Sequence, residues 1–231
     1  MNRKALKTVF LDTVPVLTGY LFLGAGFGIL LSEKVGYGVG WAMAMGVFML
    51  AGSGQYLAVS LMADHASLIS AVIATLFVNI RHIFYGISLL DTYKGAGKKK
   101  PYMIFALTDE TYSLVTQNQP PEGMSRHLYC FLVSLFDHIY WIIGCGLGNV
   151  LNNVVPISFE GVEFVLTALF ITMFLEQWLS HKNHLPAIIG VVSTALCLAI
   201  FGSEIFLIPS MALIAVLLTV SRKTGRRKED A

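Results

Sequence analysis

Charge is what this chain has least of. Asp, Glu, Lys and Arg make up 13% of its 231 residues, while 55% are hydrophobic and the mean hydropathy is +0.69. Soluble domains carry about 25% charged residues, so this balance excludes a soluble globular protein and leaves an integral membrane protein. Paired cysteines are missing too: Cys130, Cys145 and Cys197 stand singly in apolar segments, which excludes a disulfide framework and a CxxC metal site. The sequence has no HExxH, no GxSxG and no phosphate-binding P-loop. An intramembrane hydrolase or an ATP-driven pump therefore lacks its signature residues, and no cofactor or metal is implied. Low-complexity stretches are absent, and no connector is long enough to hold a soluble domain. The basic residues gather at the ends, Arg3, Lys4 and Lys7 at one and Arg222, Lys223, Arg226, Arg227 and Lys228 at the other. Each cluster flanks a long apolar run, as cytoplasmic anchors do, so nucleic-acid binding is not indicated.

What is present is a series of apolar segments at 10–31, 40–63, 68–90, 102–118, 127–151, 161–179, 185–201 and 204–220. A span needs ~20 residues at ~1.5 Å each. The expected fold is all-α and polytopic, with six to eight membrane helices, one or two broken or re-entrant elements and both termini cytoplasmic. The first apolar run continues to Leu31 without a small-residue cleavage site and is expected to be retained as a span. The organisation follows as a cytoplasmic N-terminus (1–8), a single transmembrane transport domain (9–220) and a basic cytoplasmic tail (221–231). Eight crossings would leave Lys94, Lys98, Lys99 and Lys100 outside, against the positive-inside rule. If 40–63 and 102–118 enter and return, that loop moves inside and nothing else changes side. Both segments look interruptible, the first at Ala51-Gly52-Ser53-Gly54-Gln55 and the second at Thr108-Asp109-Glu110. Broken backbone at membrane depth is tolerated only where protein or a water-filled cavity satisfies it, so two such elements point at one cavity.

The polar residues at depth carry the functional argument. Asn79 is the central residue of 68–90, with Arg81 and His82 beside it. An arginine at that depth costs roughly 2.5–3.5 kcal/mol on insertion scales and marks a functional site by default. Asn79, His82 and Gly86 share one helical face, and Arg81, Tyr85 and Ser88 an adjacent one. Arg81 either attracts an anion such as a carboxylate or pairs with a buried acid and locks helices together. Asp109 and Glu110 are neighbours on different sides of any helix, so one can balance Arg81 while the other faces the cavity. Burial raises a carboxyl pKa and an arginine lowers it, which suits a proton-coupling role for Asp109 or Glu110 with His82 as relay. Asp137 sits centrally in 127–151 with Trp141, Gly144 and Gly148 on its stripe. Gly144-x-x-x-Gly148 and Gly24-x-x-x-Gly28 read as close helix packing. His138 is a satisfied polar residue or a relay, and His181 with His184 has a metal-like spacing without a third ligand.

These motifs resemble a known family. Ala51-Gly52-x-x-Gln55-Tyr56 is similar to the AGxxQF-type element of the AzlC family, Asn79-x-Arg81-His82-x-x-Tyr85-Gly86 to its NxRHxxYG stretch, and Thr108-Asp109-Glu110 to its TDE motif. Gly161-Val162-Glu163-Phe164 through Phe170 resembles its GxDF…AxF stretch. Glu163, Tyr56 and Cys145 depart from the usual aspartate, phenylalanine and threonine. The resemblance implies the large subunit of a bacterial branched-chain amino acid exporter in the inner membrane, proton-driven, with a small hydrophobic partner of the AzlD type. A zwitterionic substrate needs a cation or helix N-terminus for its carboxylate and an acid or carbonyls for its ammonium. Arg81 or the Gly52–Gln55 backbone suits the first need, and Asp137, Asp109 or Glu110 the second. Phe84, Tyr85 and Trp141 are candidates to line an aliphatic side chain, with Asn79, His82 and Gln55 completing the site. A passive channel for small solutes is the alternative, and an intramembrane hydrolase a weaker one.

Overall fold

The computed structural model describes residues 3–154 and 184–206, together with 171, 174, 175, 178, 179, 209, 210, 212–214 and 216–221, the side chains of 77 and 203–205 apart. Every regular element among them is helical: α1 (Arg3–Val35), α2 (Val39–Met49), α3 (Gly52–Ala63), α4 (Leu68–Asn79), α5 (Arg81–Ser88), a 3₁₀ turn (Gly97–Lys99), α6 (Lys100–Phe105), α7 (Asp109–Gln117), α8 (Arg126–Val154) and α9 (Leu185–Ile205). Among the described residues three helices are long and apolar enough to cross a membrane: α1, α8 and the Leu185–Gly202 part of α9. A fourth span results if Leu68–Leu76 and Arg81–Ser88, bent by 41°, are taken as one. The chain divides after Leu166 into two units.

The first unit is built on α1 and α8, which run parallel. Contacts climb both helices together: Tyr129 OH donates to Asp12 Oδ2 (3.0 Å), Tyr20 meets the Trp141 ring edge-on, and Asn149 Nδ2 donates to the Gly28 carbonyl (3.2 Å). Between these points the helices touch backbone to backbone. A Cβ on Gly24 would lie 2.9 Å from Gly144 Cα, and one on Gly144 would lie 2.5 Å from the Tyr20 carbonyl oxygen. Gly28 and Gly148 press likewise on the carbonyls of Cys145 and Ala25. The two small-residue repeats therefore pack against each other, as their spacing leads one to expect.

Two hairpins of half-helices lean on this pair. α2 runs antiparallel to α8, with Met43 against Gly146 and Gly46 against Ile142. Leu50 (φ 27°) and Ala51 (φ −141°, ψ 87°) then break the helix. α3 starts where Gly52 meets the Trp141 ring and heads back, so that Tyr56 OH reaches the Leu23 carbonyl at 2.7 Å. The break thus falls at Leu50–Ala51, while Gly52, Ser53, Gly54 and Gln55 form the first turn of the returning helix. α6 and α7 form the second hairpin, parted at Ala106–Thr108, with Thr108 Oγ1 capping α7 by accepting from Thr111 N (3.2 Å).

The lysine loop, the end of α7 and the start of α8 meet at one end of the unit. His127 Nε2 donates to the Lys94 carbonyl (3.0 Å), and Arg126 donates to the carbonyls of Asn118 (2.5 Å) and Val115. One core joins Ala5 and Val9 of α1 to Leu89, Tyr93 and Ala96 of the loop and Tyr129 of α8. Residues 100–117 therefore leave one end of the unit and return to it.

The 68–90 segment is not one straight helix, as its apolar run led us to expect. His82 Nδ1 takes the Asn79 carbonyl (3.1 Å), so Ile83 N–H bonds Ile80 O instead, and α5 leaves α4 at an angle. Outward faces are apolar, with Phe48, Leu68, Ile83, Phe84 and Ile87 exposed, whereas Gln55, Thr108, Thr111, Asp137 and His138 are buried.

In the second unit Pro186 sits in the first turn of α9, and Gly202 (φ 74°) interrupts the helix near its end. Trp178 stacks on His184 at 4.1 Å beside a cavity of about 830 Å³ that Gly190, Val191 and Thr194 also line. His181, Lys182, Glu163, Glu176, the 161–170 motif and the basic residues from Arg222 onward lie outside the described residues, and 204–220 are described in part.

Candidate functional site at the helix breaks

Three interrupted elements meet at mid-height of α8, between Asp137 and Trp141. From α5, Arg81 reaches both hairpins: its Nη1 lies 2.8 Å from Asp109 Oδ2, and its Nη2 donates to Ser53 Oγ at 2.8 Å. Neither partner is fully buried, at 27% and 15% exposure, so the pair borders accessible space. Of the two roles open to Arg81, ion pairing with an acid is thus present, and the acid is Asp109. Glu110 points the other way and accepts from Tyr20 OH at 2.7 Å. Adjacent positions on α7 send the two carboxylates to opposite sides, as the spacing requires.

On the α3 side, Gln55 Oε1 accepts from Trp141 Nε1 at 2.5 Å. The Trp141 ring lies on Gly52, where a Cβ would come within 3.2 Å of it. Asn79 is placed against Gly54, its Nδ2 3.2 Å from where a Cβ would stand. No side chain caps α3, and its first-turn residues Ser53 and Gly54 lie against Arg81 and Asn79.

Asp137 lies deeper, 1% exposed, and accepts from Thr111 Oγ1 at 2.6 Å. His82 donates to the Asn79 carbonyl and meets the Tyr85 ring edge-on at 5.8 Å, while Tyr85 stacks on Tyr112 at 4.6 Å. Asn79, Arg81, Ser53, Asp109 and Gly54 are thus in one neighbourhood, with Gln55, Gly52 and Trp141 beside it and Asp137 behind Thr111. Phe84 is not part of it: at 61% exposure it faces outward with Ile83 and Ile87. His138 is satisfied on both nitrogens, donating to the Gly46 carbonyl (3.3 Å) and accepting from Tyr102 OH (2.9 Å).

Among the described residues this region also holds buried polar atoms without a hydrogen-bond partner: Gln55 Nε2, Asn79 Oδ1, Asp109 Oδ1 and Asp137 Oδ1. Such atoms are rare in native interiors and mark places that water or a ligand fills. Tyr20 and Thr111 escaped the sequence reading. Tyr20 stands one turn before Gly24, on the α1 face that meets α8, and Thr111 one turn after Thr108; helical spacing from those motifs would have found both.

The model of a family described as AzlC protein matches residues 15–155. The chain belongs to the AzlC family. The branched-chain amino acid transport protein AzlC of Bacillus subtilis (strain 168) is 37% identical to it over 97% of this chain and 88% of that protein. An uncharacterized membrane protein of Helicobacter pylori (strain 26695) is 40% identical over 95% of this chain and 96% of that one. A further uncharacterized membrane protein, from Haemophilus influenzae, is 38% identical over 94% and 89%. No solved structure matches. The AzlC match runs from within α1 to the end of α8, so it takes in every side chain of the site described above, and the chain is a membrane protein of that family.

Proposed function

We propose that this chain is a secondary transporter that exports branched-chain amino acids, leucine, isoleucine and valine with methionine as a further candidate, across the bacterial inner membrane. The observation that carries this reading is the set of unmatched groups at the helix breaks. Uncapped N–H groups of α3 suit a carboxylate, with the Arg81 guanidinium, itself paired to Asp109 and Ser53, beside them, while Asn79 Oδ1 and Asp109 Oδ1, both buried without a donor, suit an ammonium. A free amino acid carries both charges a few ångströms apart. Trp141 and Tyr85 offer apolar surface beside them. The relative from Bacillus subtilis, whose name records branched-chain amino acid transport, supports the substrate class.

Positive charge supports the sidedness. Lys4 and Lys7 on α1 and Lys94, Lys98 and Lys99 of the loop share one end of the unit, which the positive-inside rule assigns to the cytoplasm. Proton coupling uses one acid of the Asp109–Glu110 pair, and an AzlD-type small membrane subunit completes the transporter. The direct test is efflux of preloaded leucine, valine, isoleucine and methionine from vesicles holding this chain, with and without the co-expressed partner. Selective, gradient-dependent loss is expected. Equilibration that persists after the proton gradient collapses would instead mark a passive channel.

A further inference from the structure

We propose that Glu110 and Asp137 are the two ends of one proton path through the hydroxyls of Tyr20, Thr108 and Thr111, so that a proton entering at Glu110 is stored at Asp137. Four consecutive hydrogen bonds make the path. Glu110 Oε2 lies 2.7 Å from Tyr20 OH, which lies 2.6 Å from Thr108 Oγ1. That oxygen lies 3.0 Å from Thr111 Oγ1, which lies 2.6 Å from Asp137 Oδ2. The links come from α1, the break before α7, α7 and α8, so no single helix dictates this alignment. All are within the heavy-atom reach of proton transfer, roughly 2.6–3.2 Å.

The step balances. A hydroxyl gives one hydrogen and accepts others. Protonated Glu110 passes its hydrogen to the Tyr20 oxygen, Tyr20 passes its own to Thr108, Thr108 to Thr111, and Thr111 to Asp137 Oδ2. Each hydroxyl oxygen gains one O–H bond and loses one. Glu110 is left as carboxylate and Asp137 becomes a carboxylic acid.

Burial sets the direction of use. Glu110 is half-buried, whereas Asp137 is sealed and its Oδ1 has no partner. A buried carboxylate with one hydrogen bond is costly, and a proton removes the charge. The other titratable groups are placed so as to stay off the path. Asp109 is held by Arg81 and His82 by the Asn79 carbonyl, while both nitrogens of His138 are occupied. Tyr102 and Tyr140 are engaged elsewhere, by His138 and Thr13.

The path deepens the proton coupling of the proposed function and rests on that reading for its use, though not for its existence. The test is therefore made without amino acid. Full-length protein in lipid vesicles is transferred to D₂O and the protonated-carboxyl C=O band is followed by infrared spectroscopy, Asp137→Asn identifying which band is Asp137. Tyr20→Phe and Thr111→Val are each expected to slow deuteration of Asp137 by roughly 100-fold. Thr111→Ser, which restores the hydroxyl, is expected to keep the wild-type rate. An unchanged rate in Tyr20→Phe or Thr111→Val, slowing in Thr111→Ser, or no carboxyl band lost in Asp137→Asn overturns the path. Failure of efflux with normal exchange would overturn the transport reading and leave the path standing.

Discussion

In the proposed transporter Arg81 has a structural role as well as a substrate-binding one. It ties α5 to the returning arms of two hairpins, through Ser53 on α3 and Asp109 on α7. Removing one member of a buried pair costs about 3–5 kcal/mol because the other charge is left uncompensated; this partly exposed pair loses less, and removing both members avoids the penalty. Arg81→Ala is therefore expected to abolish efflux and to lower the melting temperature in detergent, and Arg81→Ala/Asp109→Ala to melt above the single variant. Efflux by Arg81→Ala at the wild-type rate would remove the arginine from the substrate site. At Glu110 the expectation is different. Glu110→Gln keeps the size and a hydrogen-bond acceptor but cannot cycle a proton, so gradient-driven transport should fall at least about tenfold while substrate exchange persists. Equal loss of both activities would make Glu110 a structural acid.

At the scale of elements, the glycine seam and the broken helices differ in how far the sequence reveals them. Gly24-x-x-x-Gly28 and Gly144-x-x-x-Gly148 announce close packing because only glycine lets two backbones touch, and the structure pairs them. A methyl group at Gly148 or Gly144 has no room, so Gly148→Ala is expected to destabilise the protein by about 1–3 kcal/mol in thermal unfolding. Gly19→Ala, with nothing within 4 Å of the new Cβ, is its control and should melt as the wild type does. The interruptions were legible in kind and less so in place. Polar and glycine residues flag a break, but the chain turned at Leu50 and Ala51 and used the glycines to start the next helix, because Gly52 leaves room for the Trp141 ring and Gly54 for Asn79. The bend at Ile80 was not legible at all. It depends on a histidine side chain claiming a backbone carbonyl, which no hydropathy pattern encodes. Pairings between elements were equally hidden: TDE spacing separates Asp109 from Glu110, yet that one meets Arg81 and the other Tyr20 follows from how the hairpins dock.

For the whole molecule the decisive matter is sidedness. Composition excluded a soluble protein, but it left two topologies open, since 102–118 suits either a short span or a return. The contact of Lys94 with His127 and the core shared by Val9 and Tyr93 favour the return. A cysteine introduced at Lys98 is accordingly expected to react with an impermeant thiol reagent only from the side that labels Lys4→Cys, and one at Ala66 only from the opposite side. The native cysteines are buried and should contribute little background. Labelling of Lys98→Cys from the side opposite Lys4→Cys, with Ala66→Cys reacting from the side of Lys4→Cys, would restore the eight-span arrangement.

The parallel seam of α1 and α8 also has a consequence for synthesis. Gly24 and Gly144 are 120 positions apart in the chain, which at 5–20 residues per second is roughly 6–24 s on the ribosome. During that interval the first half-helix hairpin is made, yet the helix that fixes the level of its tip is not complete. Polar hairpin tips cannot sit alone against lipid. Until α8 arrives the first hairpin lacks the helix that its tip packs on, so a released chain truncated before residue 140 should be a preferred target of membrane proteolysis, and one truncated after 154 should not.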